Sequence, residues 1–136
     1  MGLQSSHMWI LVLVSGVIQW LFGALWYGLI VRKSWRKLVG IAEGEKPKNA
    51  AFGMIMSLVA CLVLSFVLIH VIAWAGATSA TSGAAYGAVC WLGFMAPPLF
   101  AQHIFENRRA NLFAINAAYW LLAMALGGLI MGGFHG

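Results

Sequence analysis

The side chains best suited to chemistry cluster after a break in one apolar run. In WLGFMAPPLFAQHIFENRR, Trp91 to Arg109, two adjacent prolines, Pro97 and Pro98, are followed by Gln102, His103 and Glu106. An imidazole and a carboxylate three positions apart share a helix face. With the Gln102 amide on the same side they could relay a proton or receive a cation at a membrane surface, because ionisable groups are rare in lipid and often functional there. The competing reading is structural: Glu106 pairs with Arg108 or Arg109 at a helix end. Gln19 and Asn116 are the other polar side chains of interest inside apolar runs, with Trp20, Tyr119 and Trp120 beside them. Together with Gly93 and Phe94 these residues make up the candidate pathway or polar site.

The prolines bear on that site directly. A proline lacks the N–H that would bond the carbonyl four residues back, so Pro97 and Pro98 should free the carbonyls of Gly93 and Phe94 and kink the helix. In lipid a freed carbonyl needs a donor. Counting about 1.5 Å per residue brings Gln19 and Trp120 to the depth of Gly93. The sequence therefore predicts that one of them, or water in a midplane pocket, satisfies the break.

Other chemistries find less support. His7, His70 and His135 map to one side of the membrane and could hold a metal or a haem, with His70 and His135 the candidate ligands, but none lies in a ligand motif. No metal or cofactor is expected. Cys61 and Cys90 fall at membrane depth without C-x-x-C spacing and read as packing residues. The chain has no Asp, and Glu106 is the only acid near an apolar run. A diiron site needs several inward carboxylates, so that site and carboxylate-based catalysis are both disfavoured.

The elements that must position these residues follow from composition. Of 136 residues, 62% are hydrophobic and 8% charged, which is the make-up of a chain dissolved in lipid. A spanning helix needs about 20 apolar residues, and four runs qualify: Met8 to Val31, Phe52 to Ala75, Gly83 to Phe105, and Leu112 to Gly133. The fold class is an all-α membrane protein, one four-helix bundle over residues 1–136 with its third helix kinked at Pro97-Pro98. The first run reads as a retained helix, since its basic segment follows it and does not precede it. Small residues recur as Gly83-x-x-x-Gly87 and Gly128-x-x-x-Gly132, with Gly16 and Gly23 a heptad apart, a spacing that serves folding or oligomerisation alike.

All the cations lie in two loops: Arg32, Lys33, Arg36, Lys37, Lys46 and Lys48 after the first run, Arg108 and Arg109 after the third. The positive-inside rule then puts both termini outside and both basic loops in the cytoplasm. The net charge of +5 reads as topology and contact with anionic lipid, not nucleic-acid binding. Trp35, Leu38, Val39 and Ala42 recur at helical spacing opposite Lys33, Arg36 and Lys37. That pattern predicts a short helix flat in the headgroup layer, with Arg32, Lys33, Trp35, Arg36 and Lys37 against lipid. Gly44 and Pro47 are expected to end it, and Asn49 and Asn111 to cap the second and fourth spans.

GALWYG at Gly23 to Gly28, Trp35, GAVCWLGF at Gly87 to Phe94, and FENRRANLFAINAAYW at Phe105 to Trp120 together resemble the bacterial domain of unknown function 1761 family. The resemblance covers nearly the whole chain. It implies a small four-helix protein of the bacterial inner membrane and supplies no activity. One departure is Gly28-Leu29, where members often carry Ser-Pro after the Trp-Tyr pair.

Three functions fit these features. The first is a homo-oligomeric transporter or channel for a small molecule or ion, in which the broken helix lines a path completed by a second copy. The second is a non-transporting accessory or lipid-binding subunit. The third is a haem or metal redox protein. Membrane lipids and a second copy of the chain are the expected partners, and no ligand can be named. Topology is testable at once: single cysteines placed at Ser5 and Ser79 should label from outside intact cells, and one at Gly44 should not. Labelling at Gly44 would reverse the orientation.

Overall fold

The computed structural model describes residues 5–41 and 49–134. Four described segments, Ser6–Ile30, Ala50–Ala75, Ala80–Phe105 and Ala110–Phe134, are long and apolar enough to cross a membrane. They divide into α1 (Ser5–Leu25) ending in a π turn (Trp26–Ile30), α2 (Arg32–Val39), α3 (Ala50–Ala75), α4 (Ala80–Cys90), a second π turn (Trp91–Met95), α5 (Ala96–Phe105) and α6 (Ala110–Phe134). The spanning helices show no strong polar face, as expected where lipid is the outer solvent. α2 is the exception: Arg32, Lys33 and Lys37 are exposed, while Trp35 and Leu38 are half-buried.

Several ends differ from the sequence reading, each for a local reason. α2 stops at Gly40, before Gly44 and Pro47, which lie outside the described residues. Gly40 adopts φ 80°, its N–H bonds the Lys37 carbonyl at 3.4 Å, and the N–H of Ile41 reaches back to Arg36 at 2.9 Å. Such a left-handed close suits glycine. Asn49 stands before α3, also left-handed (φ 58°), and makes no side-chain cap. The third span starts at Ala80, three residues ahead of Gly83, because Ser79 and Ser82 cap it reciprocally. α6 begins at Ala110, so Asn111 sits inside its first turn and is not its cap.

α4 packs most extensively on α6, and glycine makes this possible. A Cβ on Gly83 would overlap the Gly128 carbonyl, one on Gly87 the Met124 carbonyl, and one on Gly132 the Ser79 carbonyl. The two small-residue stripes therefore meet each other within the chain, backbone against backbone. α1 uses the same device more sparingly: Gly16 accommodates Leu62 of α3, and Gly23 accommodates the Tyr119 ring of α6. Leu11, Val12, Leu68, Ile69, Ile72, Ala77 and Met131 fill the core toward the end that lacks cations.

Gly83→Ala should cost about 1 to 3 kcal/mol, the usual range for overpacking, because backbone has nowhere to move. Gly93→Ala is the control. Nothing lies within 4 Å of its would-be Cβ, and alanine's better helix propensity should hold or raise stability by up to about 1 kcal/mol. Reversible unfolding in detergent measures both.

Candidate functional site

At the basic end of the bundle three elements bring polar side chains together. His103, on the last turn of α5, is only 5% exposed. Its Nδ1–H donates to the Leu99 carbonyl at 2.9 Å, which leaves Nε2 as an acceptor. The Asn116 amide of α6 approaches that Nε2 at 3.5 Å, and its Oδ1 accepts from Tyr27 Oη at 2.7 Å. Tyr27 arrives from the first π turn, whose first residue, Trp26, also reaches α6 through an indole bond to the Ile115 carbonyl at 3.2 Å. The donations run one way, from Tyr27 to Asn116 to His103 to Leu99.

Of the trio marked in the sequence, only His103 turns inward; Gln102 and Glu106 are exposed. For Glu106 the reason is the helix end. α5 stops at Phe105, Asn107 takes φ 57°, and the Arg108 N–H closes back on the His103 carbonyl at 2.9 Å. With the helix over, i+3 geometry no longer holds, and Glu106 pairs with Arg108 Nε at 2.8 Å and not with Arg109. Both partners are about half exposed, so the pair adds little stability.

A second polar cluster lies deeper. Gln19 is fully buried, with its Nε2 donating to Ser65 Oγ at 3.0 Å and its backbone carbonyl accepting from Tyr119 Oη at 3.0 Å. Cys61 Sγ lies 3.7 Å from the same hydroxyl. Among the described residues Gln19 Oε1 and Ser15 Oγ find no partner. Trp20 leaves this cluster and bonds the Met54 carbonyl at 3.0 Å and Ser57 Oγ at 3.1 Å.

The expected link between Gln19 or Trp120 and the broken third span is not made. Gln19 is engaged by α3, and Trp120 stands edge-on to Tyr119, with ring centroids 4.8 Å apart. The break itself is the π turn, in which the Ala96 N–H bonds the Trp91 carbonyl. Pro97 and Pro98 then open α5, where a missing N–H is tolerated. Gly93, Phe94, Pro97 and Pro98 are all exposed, Phe94 by 78%. The break faces away from the bundle, so it does not border a midplane pocket inside it. The anchor that turns this segment is Trp91, whose indole donates to the Ala117 carbonyl at 2.9 Å.

Tyr27, Ser15 and Ser65 were not singled out from the sequence as site residues. Ser57, Cys61 and Ser65 stand four residues apart on α3, and Cys61 and Ser65 are buried while Ser57 is exposed. Tyr27 stood out only as part of the Trp-Tyr pair in the family resemblance, which marks no site. His7 Nε2 lies 2.6 Å from the Phe134 carbonyl. His70 Nδ1 is 2.7 Å from the Phe66 carbonyl, its ring between Phe66 and Trp74. His135 lies outside the described residues. Among the described residues no three His, Cys, Asp or Glu side chains gather.

Two open clefts flank α2. One, of about 460 Å³, is lined by Ser34, Lys37 and Leu38 from α2 and by Arg109, Asn111, Ala114 and Ile115 at the start of α6. The other, of about 280 Å³, is formed by the continuous stretch 28–34, including Arg32 and Lys33. Trp35 lies between α2 and the bundle, edge-on to Tyr27 at 5.5 Å, so its ring packs on protein and is not spread on headgroups.

A family model described as a protein of unknown function, DUF1761, matches residues 10–132. No curated protein and no solved structure matches the chain.

Tyr27→Phe and Asn116→Leu should each lower stability by about 0.6 kcal/mol and at most about 1.7, the range of measured intramembrane hydrogen bonds. Because both act on one chain of bonds, the double variant should lose less than the sum. Gln19→Leu removes one bond and one unpartnered oxygen together, so its loss should be smaller than that of Tyr27→Phe. Unfolding equilibria in micelles decide among these outcomes.

Proposed function

The chain belongs to the DUF1761 family of proteins of unknown function, and from that premise we propose that it is a non-transporting, lipid-binding subunit of the bacterial inner membrane whose working surface is its basic, cytoplasmic end. The observation that carries this reading is where the open space lies. Both clefts flank the amphipathic α2 at that end. By contrast, several polar side chains inside the spans are engaged between helices, as in Tyr27 with Asn116 and Gln19 with Ser65. α4 and α6 close on each other without intervening side chains. Cations at a headgroup layer attract anionic lipid by about 1 kcal/mol each.

A second reading has one observation in its favour. The outward face of the broken span, with Leu92, Phe94 and the two prolines exposed, would line a transport path only where copies of the chain meet. Proteoliposomes separate the two. Under the lipid-binding reading, fluxes of cations, anions and small neutral solutes stay at the level of empty vesicles, and the purified protein retains anionic lipid. A flux abolished by Gln102→Ala in protein that folds normally would select the transporter. A Soret band in the purified protein would instead revive a redox function.

A further inference from the structure

We propose that the cleft between α2 and α6 is a discrete site for the phosphate headgroup of an anionic phospholipid, an inference that rests on the lipid-binding reading and gives it an address. The walls of the cleft come from two elements. α2 supplies Lys37 and Ser34, and the segment that starts α6 supplies Arg109 and Asn111. A guanidinium can grip phosphate oxygens in a fork while an ammonium adds a point charge, and a hydroxyl and an amide complete a set of donors for the remaining oxygens.

Among the described residues no carboxylate is left to compensate this charge. Glu106, the only acid among the described residues, is taken by Arg108. The positive end of the α6 dipole adds to the same field.

The floor of the cleft selects a lipid over a free anion. Leu38, Ala114 and Ile115 complete its lining with apolar surface, and Ala114 and Ile115 belong to the span Ala110–Phe134. An acyl chain can therefore leave the headgroup along α6 without crossing polar surface. Arg109 immediately precedes that span, which is the depth at which phosphates lie. The walls are also held in place: Trp35 rests on Tyr27, and Tyr27 is bonded to Asn116 of α6. The second cleft offers a contrast, because Arg32 and Lys33 there face only residues of their own stretch 28–34.

The test compares two variants of equal charge, K37Q/R109Q and R32Q/K33Q, in mixed micelles of phosphatidylglycerol and phosphatidylcholine, with bound lipid counted by native mass spectrometry and folding checked by unfolding temperature. Loss of charge-assisted bonds should reduce phosphatidylglycerol occupancy about tenfold or more in K37Q/R109Q, with a much smaller change in R32Q/K33Q. Equal losses in both would overturn the discrete site and leave diffuse surface attraction standing. No loss in either would overturn the site, and absence of bound phosphatidylglycerol on the unaltered protein would overturn the lipid-binding reading as well. Displacement of the lipid by millimolar inorganic phosphate would show that the cleft takes a free anion, and that also overturns the proposal. If K37Q/R109Q fails to fold, R109K serves in its place: an ammonium keeps the charge and loses the fork, so occupancy should fall part of the way, and unchanged occupancy counts against the site.

Discussion

The contact that the rest of the molecule depends on is the meeting of α4 and α6 through glycine. Between lipid-soluble helices there is no hydrophobic force to gain, so association relies on close van der Waals approach and a few hydrogen bonds. Gly83 against Gly128 and Gly132, and Gly87 against Met124, give the closest approach available, main chain on main chain. That sets the depth at which α6 sits, and α6 then presents everything else. Asn116 reaches Tyr27 and His103, Tyr119 reaches the Gln19 carbonyl, and Gly127 leaves room for the Gln19 amide, which a Cβ there would strike. Moving α6 outward by one methyl layer would loosen every one of these contacts.

The polar groups inside this frame stabilise less than their number suggests. Gln19 makes one good bond to Ser65, and among the described residues its Oε1 and the Ser15 hydroxyl find no partner. An unpaired polar atom away from water is costly, and intramembrane hydrogen bonds return little. The cluster's clearer consequence is register. With its amide confined by Gly127 and Ser65, α1 has one rotation in which Gln19 is tolerated, and slipping it would send the amide into lipid.

The four spans and the amphipathic α2 were legible because lipid enforces them: about 20 apolar residues to cross, and a charged face where a helix lies on the surface. The glycine stripes were legible as close-approach faces, but their spacing could not say whether the partner was the same chain. The break after Trp91 was legible from the prolines, which fix where a helix is interrupted. Its direction was not, since that is decided by which neighbour is anchored, here the Trp91 indole on Ala117. The polar site was half legible. His103, Asn116, Gln19 and Tyr119 stood out as polar or amphipathic residues at depth. Their pairings depend on helix rotations and on a π turn that no periodicity announces, and Tyr27 stood out only through the family resemblance.

One line of contacts ties the membrane surface to the broken span. α2 carries Trp35, which meets the edge of Tyr27; Tyr27 bonds Asn116; Asn116 bonds His103 on α5; and His103 packs against Phe113 as it holds the Leu99 carbonyl just beyond the prolines. The line runs through α2, the first π turn, α6 and α5 in turn. The end that lacks cations is held by aliphatic packing around Ile69, Ile72 and Met131. A force that shifts α2 in the headgroup layer must act first on Tyr27, which sits in a π turn, a shorter and less regular stretch than the long helices around it.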